Sequence, residues 1–153
     1  MPRIHFELGT RLSPDEVVRA LTDFSAHRAQ VWRNIDSAHL KVHDQGPGWA
    51  DVTEGNSLAG GVWERSRYEW GKEPGRVTTT TLDSNVWSAG DGWTYRVTPA
   101  TGGGSTINVD VARHGKGAKG ALIGAVLSVA GARMLREDMR RVLAPLENRL
   151  PNS

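Results

Sequence analysis

The chain has 153 residues, 38% of them hydrophobic and 24% charged, which suffices for one packed core and is too apolar for a disordered segment. The absence of cysteine excludes disulfides, thiolate metal sites and a cysteine nucleophile, and it fits a reducing, cytoplasmic setting. With 19 basic and 17 acidic residues the net charge is +2, short of the concentrated basic face that nucleic-acid binding calls for.

Met1 to Thr10 carries no signal-peptide pattern. Within it Ile4, Phe6 and Leu8 alternate with Arg3, His5 and Glu7, which predicts a half-buried strand. Ser13-Pro14-Asp15-Glu16 then supplies an N-cap, a proline at the first helical position and an acidic first turn. The helix it starts is expected to reach about Asp23. A second short helix is expected over Ala26–Arg33, with Val31, Trp32 and Ile35 as apolar contacts. From Ala38 to Arg113 strand patterns are separated by glycine-rich turns. Leu40 and Val42 alternate with polar residues before Gln45–Gly48. Trp49–Glu54 and Val62–Trp70 form a hairpin across Gly55–Gly61, and Arg76–Leu82 follows Gly71–Gly75. Trp93–Val97 and Thr106–Val111 flank Pro99–Gly104. Turns this short imply an antiparallel meander.

From Gly120 to about Arg149 the pattern is one long helix, apolar nearly all round from Ala121 to Ala130 and amphipathic afterwards. The apolar run is shorter than the ~20 residues of a membrane span, so burial against the concave face of the sheet is expected. The whole reads as one α+β domain over residues 1–150, a curved antiparallel sheet closed by a C-terminal helix, with 151–153 a disordered tail.

Strand alternation selects the inward side chains: Val52 with Glu54; Glu64, Ser66, Tyr68 and Trp70 with Val62; Trp93 with Tyr95; and Ile107 with Val109. A carboxylate in an apolar cavity has its charged form disfavoured, so Glu54 or Glu64 could act as a general acid or base. The competing reading has each solvated at a strand end or paired with Arg65, Arg67 or Arg113. Trp32, Trp70 and Trp93 suit stacking on an aromatic ligand, or core packing, whereas Trp49, Trp63 and Trp87 suit the outer sheet edge. Glycines 120, 124 and 131 leave space under the helix if they face inward.

Gly115-Lys116-Gly117-Ala118-Lys119-Gly120 spells G-x-G-x-x-G, but no parallel strand with an acidic residue follows the helix. A glycine hinge is expected instead of a dinucleotide site, with a lesser reading in which Lys116 and Lys119 attract an anionic headgroup. His39 and His43 sit ~13 Å apart on a strand, too far to share a metal ion.

The order of strand, two short helices, antiparallel strands and one long helix resembles the START-like (SRPBCC) superfamily. So do the phrases Ala20-Leu21-Thr22-Asp23-Phe24, Val31-Trp32-Arg33-Asn34-Ile35-Asp36, Asp51-Val52-Thr53-Glu54-Gly55, Trp63-Glu64-Arg65 and Tyr68-Glu69-Trp70. They are similar to polyketide cyclase/dehydrase-type actinobacterial members. The resemblance implies a helix-grip fold, with six to seven strands wrapped around the C-terminal helix and a cavity between them.

It further implies a hydrophobic or amphipathic ligand (a lipid, a polyketide or an aromatic metabolite) held without cofactor or metal. The lining residues expected are Trp32, Val52, Ser66, Trp70, Trp93, Tyr95, Val109, Leu122 and Val126. An alternative is a cyclase or dehydratase, with Glu64 or Glu54 as acid/base and Tyr68 or Tyr95 as carbonyl donor. A third is a protein-interaction module using the apolar helix, with a homodimer among its outcomes. Neither nucleic acid nor stable membrane insertion is expected.

Overall fold

The computed structural model describes residues 3–32, 35–57 and 60–151. β1 (Arg3–Thr10) leads into α1 (Pro14–Leu21) and α2 (His27–Val31), and a 3-10 turn at Ser37–His39 precedes the meander. Its strands are β2 (Lys41–Gly46), β3 (Trp49–Asn56), β4 (Val62–Glu69), β5 (Arg76–Ser84), β6 (Gly92–Pro99) and β7 (Ser105–Ala112), and α3 (Gly117–Glu147) ends the domain. All seven strands form one antiparallel sheet in the order β1-β7-β6-β5-β4-β3-β2, so the first strand closes on the last. Register shifts between Val42 and Asp44 and between Arg65 and Ser66 add the local bends that curve such a sheet.

This is the expected helix-grip architecture. The strands outrun their apolar patterns by a few residues because backbone pairing continues past the last buried side chain; Gln45 and Gly46, expected in a turn, still pair with Ala50 and Trp49. The Ser13 hydroxyl accepts from the Glu16 amide and the Glu16 carboxylate accepts from the Ser13 amide, a reciprocal cap that fixes where α1 begins. α2 spans only His27–Val31. Arg33, like residues 152–153 of the expected tail, lies outside the described residues.

The two halves of α3 differ. Near its C-terminal end Met139, Val142 and Leu143 are buried, Met139 and Leu143 in the core built from Phe6, Leu8, Leu12, Val97 and Ile107. Thr10 and Arg11 bind Glu147 and tie this end of the helix to β1. The N-terminal half was expected to bury its large apolar side chains; Leu127 does pack against the core, but Leu122, Val126 and Val129 point outward. Leu122 is 69% exposed, Val126 52% and Val129 90%. The inward face carries Gly120, Gly124 and Gly131 beside Leu127.

Glycine is required at position 120, where the helix meets backbone, while at position 131 a side chain would meet only the tip of Ile4. A Cβ on Gly120 would lie 2.5 Å from the Val86 carbonyl oxygen, and one on Gly131 2.7 Å from Ile4 Cδ1. Gly124 is buried, yet a Cβ there meets no atom within 4 Å, so unfilled space lies under this turn. By length and composition alone α3 could cross a membrane, with a mean hydropathy of 1.4 over its most apolar 18-residue window. Its C-terminal half is nevertheless an integral part of the core.

The two halves should respond differently to truncation. Met139→Ala empties a fully packed position and is expected to cost about 3 kcal/mol, while Val129→Ala should stay within about 0.5 kcal/mol of the parent. Urea denaturation of both variants checks this; equal losses would contradict the exposed placement of Val129.

Candidate functional site

At the end of the sheet where α3 starts, the interior is not dry core. The end of β3, the starts of β4 and β6 and the residues following β5 and β7 surround a cavity of about 140 Å³. Its wall combines aromatic rings with two buried ion pairs.

The first pair joins α2 to the sheet. Phe24, Arg28 and Trp32 follow one another at four-residue spacing, which carries Arg28 inward although its helix is a single turn long. Arg28 is 4% exposed. Its Nε donates to Glu54 Oε2 at 2.9 Å, its Nη2 to the Tyr68 hydroxyl at 3.1 Å, and its Nη1 to the Leu21 carbonyl at 3.0 Å. The Tyr68 hydroxyl in turn donates to Glu54 Oε1 in a short hydrogen bond. The guanidinium also lies 4.8 Å from the Phe24 ring centroid and 5.5 Å from that of Trp32. Burial works against charge on Arg28, but Glu54 outweighs it and holds the guanidinium more firmly protonated than usual. Burial, reinforced by the Glu54 charge, pushes the Tyr68 phenol well above its ordinary range.

The second pair faces the first across the cavity wall. Arg113 continues the inward set of β7, two residues beyond Val111, and binds Glu64 through Nη1 at 2.5 Å and Nη2 at 2.8 Å. Thr81 also donates to Glu64. The Arg113 guanidinium lies 5.0 Å from the Trp87 ring centroid and 5.6 Å from that of Trp93. Trp93 stacks on Tyr95 with centroids 5.9 Å apart.

Two polar atoms in this wall are unused. Trp32 Nε1 is buried without a hydrogen-bond partner, and the Tyr95 hydroxyl has none among the described residues. Burial raises the Tyr95 phenol above its ordinary range, Arg28 opposing the shift and Glu54 adding to it.

Of the residues expected at the site, Glu54, Glu64, Ser66, Tyr68, Trp32, Trp93 and Tyr95 come together around this cavity. Val52 and Val109 are fully buried and do not border it. Trp70 packs on the edge of the core 6.1 Å from Phe24, away from the cavity. Leu122 and Val126 lie on the outer face of α3 and are not cavity walls. Of the two readings of the glutamates, the paired one holds: Glu64 meets Arg113 as expected there, while Glu54 meets Arg28, which was not among the expected partners. Arg65 pairs with Asp51 on the opposite face of the sheet. Trp87, assigned to the outer edge, is 6% exposed and borders the cavity.

The G-x-G-x-x-G segment is a pinned junction and no hinge. A Cβ on Gly115 would fall 2.1 Å from the Gly120 carbonyl oxygen, Lys116 N donates to the Val86 carbonyl, and Lys119 Nζ donates to the Gly61 carbonyl at 2.6 Å. No cluster of three or more potential metal ligands occurs among the described residues. A larger open groove of about 630 Å³ between α1, α2 and the end of α3 shares Arg28 and Trp32 with the cavity. It contains neither glutamate pair.

The family described as polyketide cyclase/dehydrase and lipid transport matches residues 9–151. The chain belongs to this family. Among proteins of curated function, none matches the chain. Solved structures repeat the fold. A START superfamily protein from Mycobacterium smegmatis has a TM-score of 0.75 at 12% identity, covering 97% of this chain and 99% of that one. TTHA0849 from Thermus thermophilus has a TM-score of 0.71 at 17% identity, covering 97% and 96%. The Zhui aromatase/cyclase from Streptomyces sp. R1128 has a TM-score of 0.62 at 16% identity, covering 92% and 95%. Identities this low establish the shared fold alone.

The two tyrosines of the chain are Tyr68 and Tyr95, and in this wall Tyr95 is buried and Tyr68 half-buried. With native values raised above the ordinary 10, their contribution to stability is complete below pH 10 and is lost as pH climbs toward the raised values. Tyrosinate absorbance should therefore stay absent from the folded protein past pH 10 and emerge together with alkaline unfolding. Free titration near pH 10 in the folded state would contradict the buried placement.

Proposed function

We propose that the domain binds a small, flat, uncharged aromatic molecule carrying a hydroxyl or carbonyl oxygen. The observation that carries this reading is the aromatic lining of the cavity, with Trp32, Trp87, Trp93 and Tyr95 around it and the buried Trp32 Nε1 left without an acceptor. A buried donor without an acceptor costs about 1–3 kcal/mol, and a ligand oxygen removes that cost. The Tyr95 hydroxyl supplies a second polar contact, and the stacked Trp93 and Tyr95 rings offer an aromatic surface.

Charge and size narrow the ligand. Each arginine at the wall is balanced by a glutamate, so a charged ligand would leave its desolvation unmatched. A cavity of about 140 Å³ is close to the ~150 Å³ that accommodates benzene and below the ~300 Å³ at which drug-sized ligands begin. A lipid chain or a multi-ring polyketide exceeds this volume, whereas a one- or two-ring metabolite fits with modest adjustment. In this reading Glu54 and Glu64 hold Arg28 and Arg113 in place.

A cyclase or dehydratase is the second reading. It is supported by the Tyr68 hydroxyl, which sits between Glu54 and Arg28 beside the cavity and forms a ready proton-sharing pair with the carboxylate. It would give Tyr68 and Glu54, or Glu64 opposite, a role in proton transfer.

Calorimetric titration with 2-naphthol, a neutral bicyclic phenol, tests the binding reading. Saturable binding is expected, weakened about tenfold by Trp32→Phe, which keeps the ring and removes the donor. Absence of binding, or an affinity unchanged in Trp32→Phe, would contradict it. A molecule carried through purification from the native host and chemically altered on storage with the protein, but not with Tyr68→Phe, would favour the enzyme.

A further inference from the structure

The outer face of α3 has the polarity of a lipid interface. From Gly120 to Ala132 no side chain is charged. The one hydroxyl in the stretch, on Ser128, donates to the Gly124 carbonyl of its own helix. Leu122, Val126 and Val129 project from this segment into solvent, with Val129 90% exposed. Small surface patches of this kind are ordinary when scattered, but here they follow one helix face for two turns.

The charge around the segment is one-sided. Between Lys116 and Arg141 there are six basic and two acidic side chains, although the whole chain carries only +2. Lys116 and Lys119 flank the apolar face at its start; Arg133, Arg136 and Arg140 flank it at its end. Lys119 binds a neutral carbonyl and keeps its charge uncompensated, Lys116 lies 3.9 Å from the exposed Asp83, and Arg133 meets Glu137 at 3.4 Å.

From this geometry we infer that the N-terminal half of α3 docks on the surface of a bilayer containing anionic lipid. The apolar side chains enter the headgroup boundary and the flanking lysines and arginines meet lipid phosphates. Charge selects this occupant over a second copy of the chain. A two-fold axis would bring the basic flanks of one helix against the basic flanks of the other, whichever way the helices ran. The face also lies at the cavity end of the domain: Lys119 grips Gly61, whose neighbour Val62 borders the cavity. The inference does not depend on what the cavity holds.

Because the chain has no cysteine, Val129→Cys takes a single environment-sensitive fluorophore, and Lys72→Cys at the opposite end of the sheet serves as control. Vesicles of phosphatidylcholine with phosphatidylglycerol should shift the emission at position 129 to shorter wavelength and leave position 72 unchanged, and high salt should reverse the shift. Lys116→Glu and Lys119→Glu should each weaken the interaction at least about fivefold. In sedimentation with the same vesicles, unlabelled Val129→Asp should remain in solution while Val129→Ala still binds, and the exposed site makes both fold normally. No shift with these vesicles would overturn the inference. So would a shift produced by raising protein concentration without vesicles, which would assign the face to a second copy.

Discussion

Burying a guanidinium is costly unless a carboxylate is buried with it, and this constraint organises the cavity end of the domain. Arg28 satisfies it by reaching from a one-turn helix to Glu54 on β3 and Tyr68 on β4. That contact fixes α2 over the sheet, and α2 leads directly into Trp32 at the cavity wall. Arg113 satisfies it with Glu64, joining the exit of β7 to β4, and its charge in turn holds Trp87 and Trp93 around it. The cavity is thus bounded by two neutralised pairs set among indole and phenol rings. Both pairs keep their carboxylates engaged with the arginines.

The long helix serves two purposes by splitting its length. Its C-terminal half is held by Met139, Val142 and Leu143, which provide the packing that keeps the fold closed. Its N-terminal half contributes glycines and Leu127 inward, two of the glycines in close backbone or side-chain approach and one over open space, and turns Leu122, Val126 and Val129 away. A helix with this inversion is poorly explained by core packing alone. Its outward face matches a lipid boundary in both hydrophobicity and flanking charge.

Much of the sheet was legible because period-two alternation is a strict geometric rule. It placed Glu54, Glu64, Ser66 and Tyr68 on one face without knowledge of the partners, and the N-cap at Ser13 marked α1 directly. The same rule extends past Val111 to Arg113, so the second ion pair was within reach of the sequence. Arg28 was missed because a single helical turn has no measurable period, although the four-residue steps from Phe24 to Arg28 to Trp32 were there to be read. Trp87 was missed because it sits in a connection where no pattern applies. The outward direction of Leu122 and Val126 was not legible at all. A segment apolar on every side has no preferred face, and the choice is made by how closely Val86 and Ile4 approach the helix axis.

A double-mutant cycle on Arg28→Met and Glu54→Leu, read by denaturant unfolding, tests most directly whether the buried charges hold this site together as a mutually dependent pair. Each single variant strands a buried charge and should lose about 3–5 kcal/mol, while the double variant, with an apolar pair of similar volume, should recover most of that loss. Additive losses in the double variant, or a Glu54→Leu protein as stable as the parent, would contradict it.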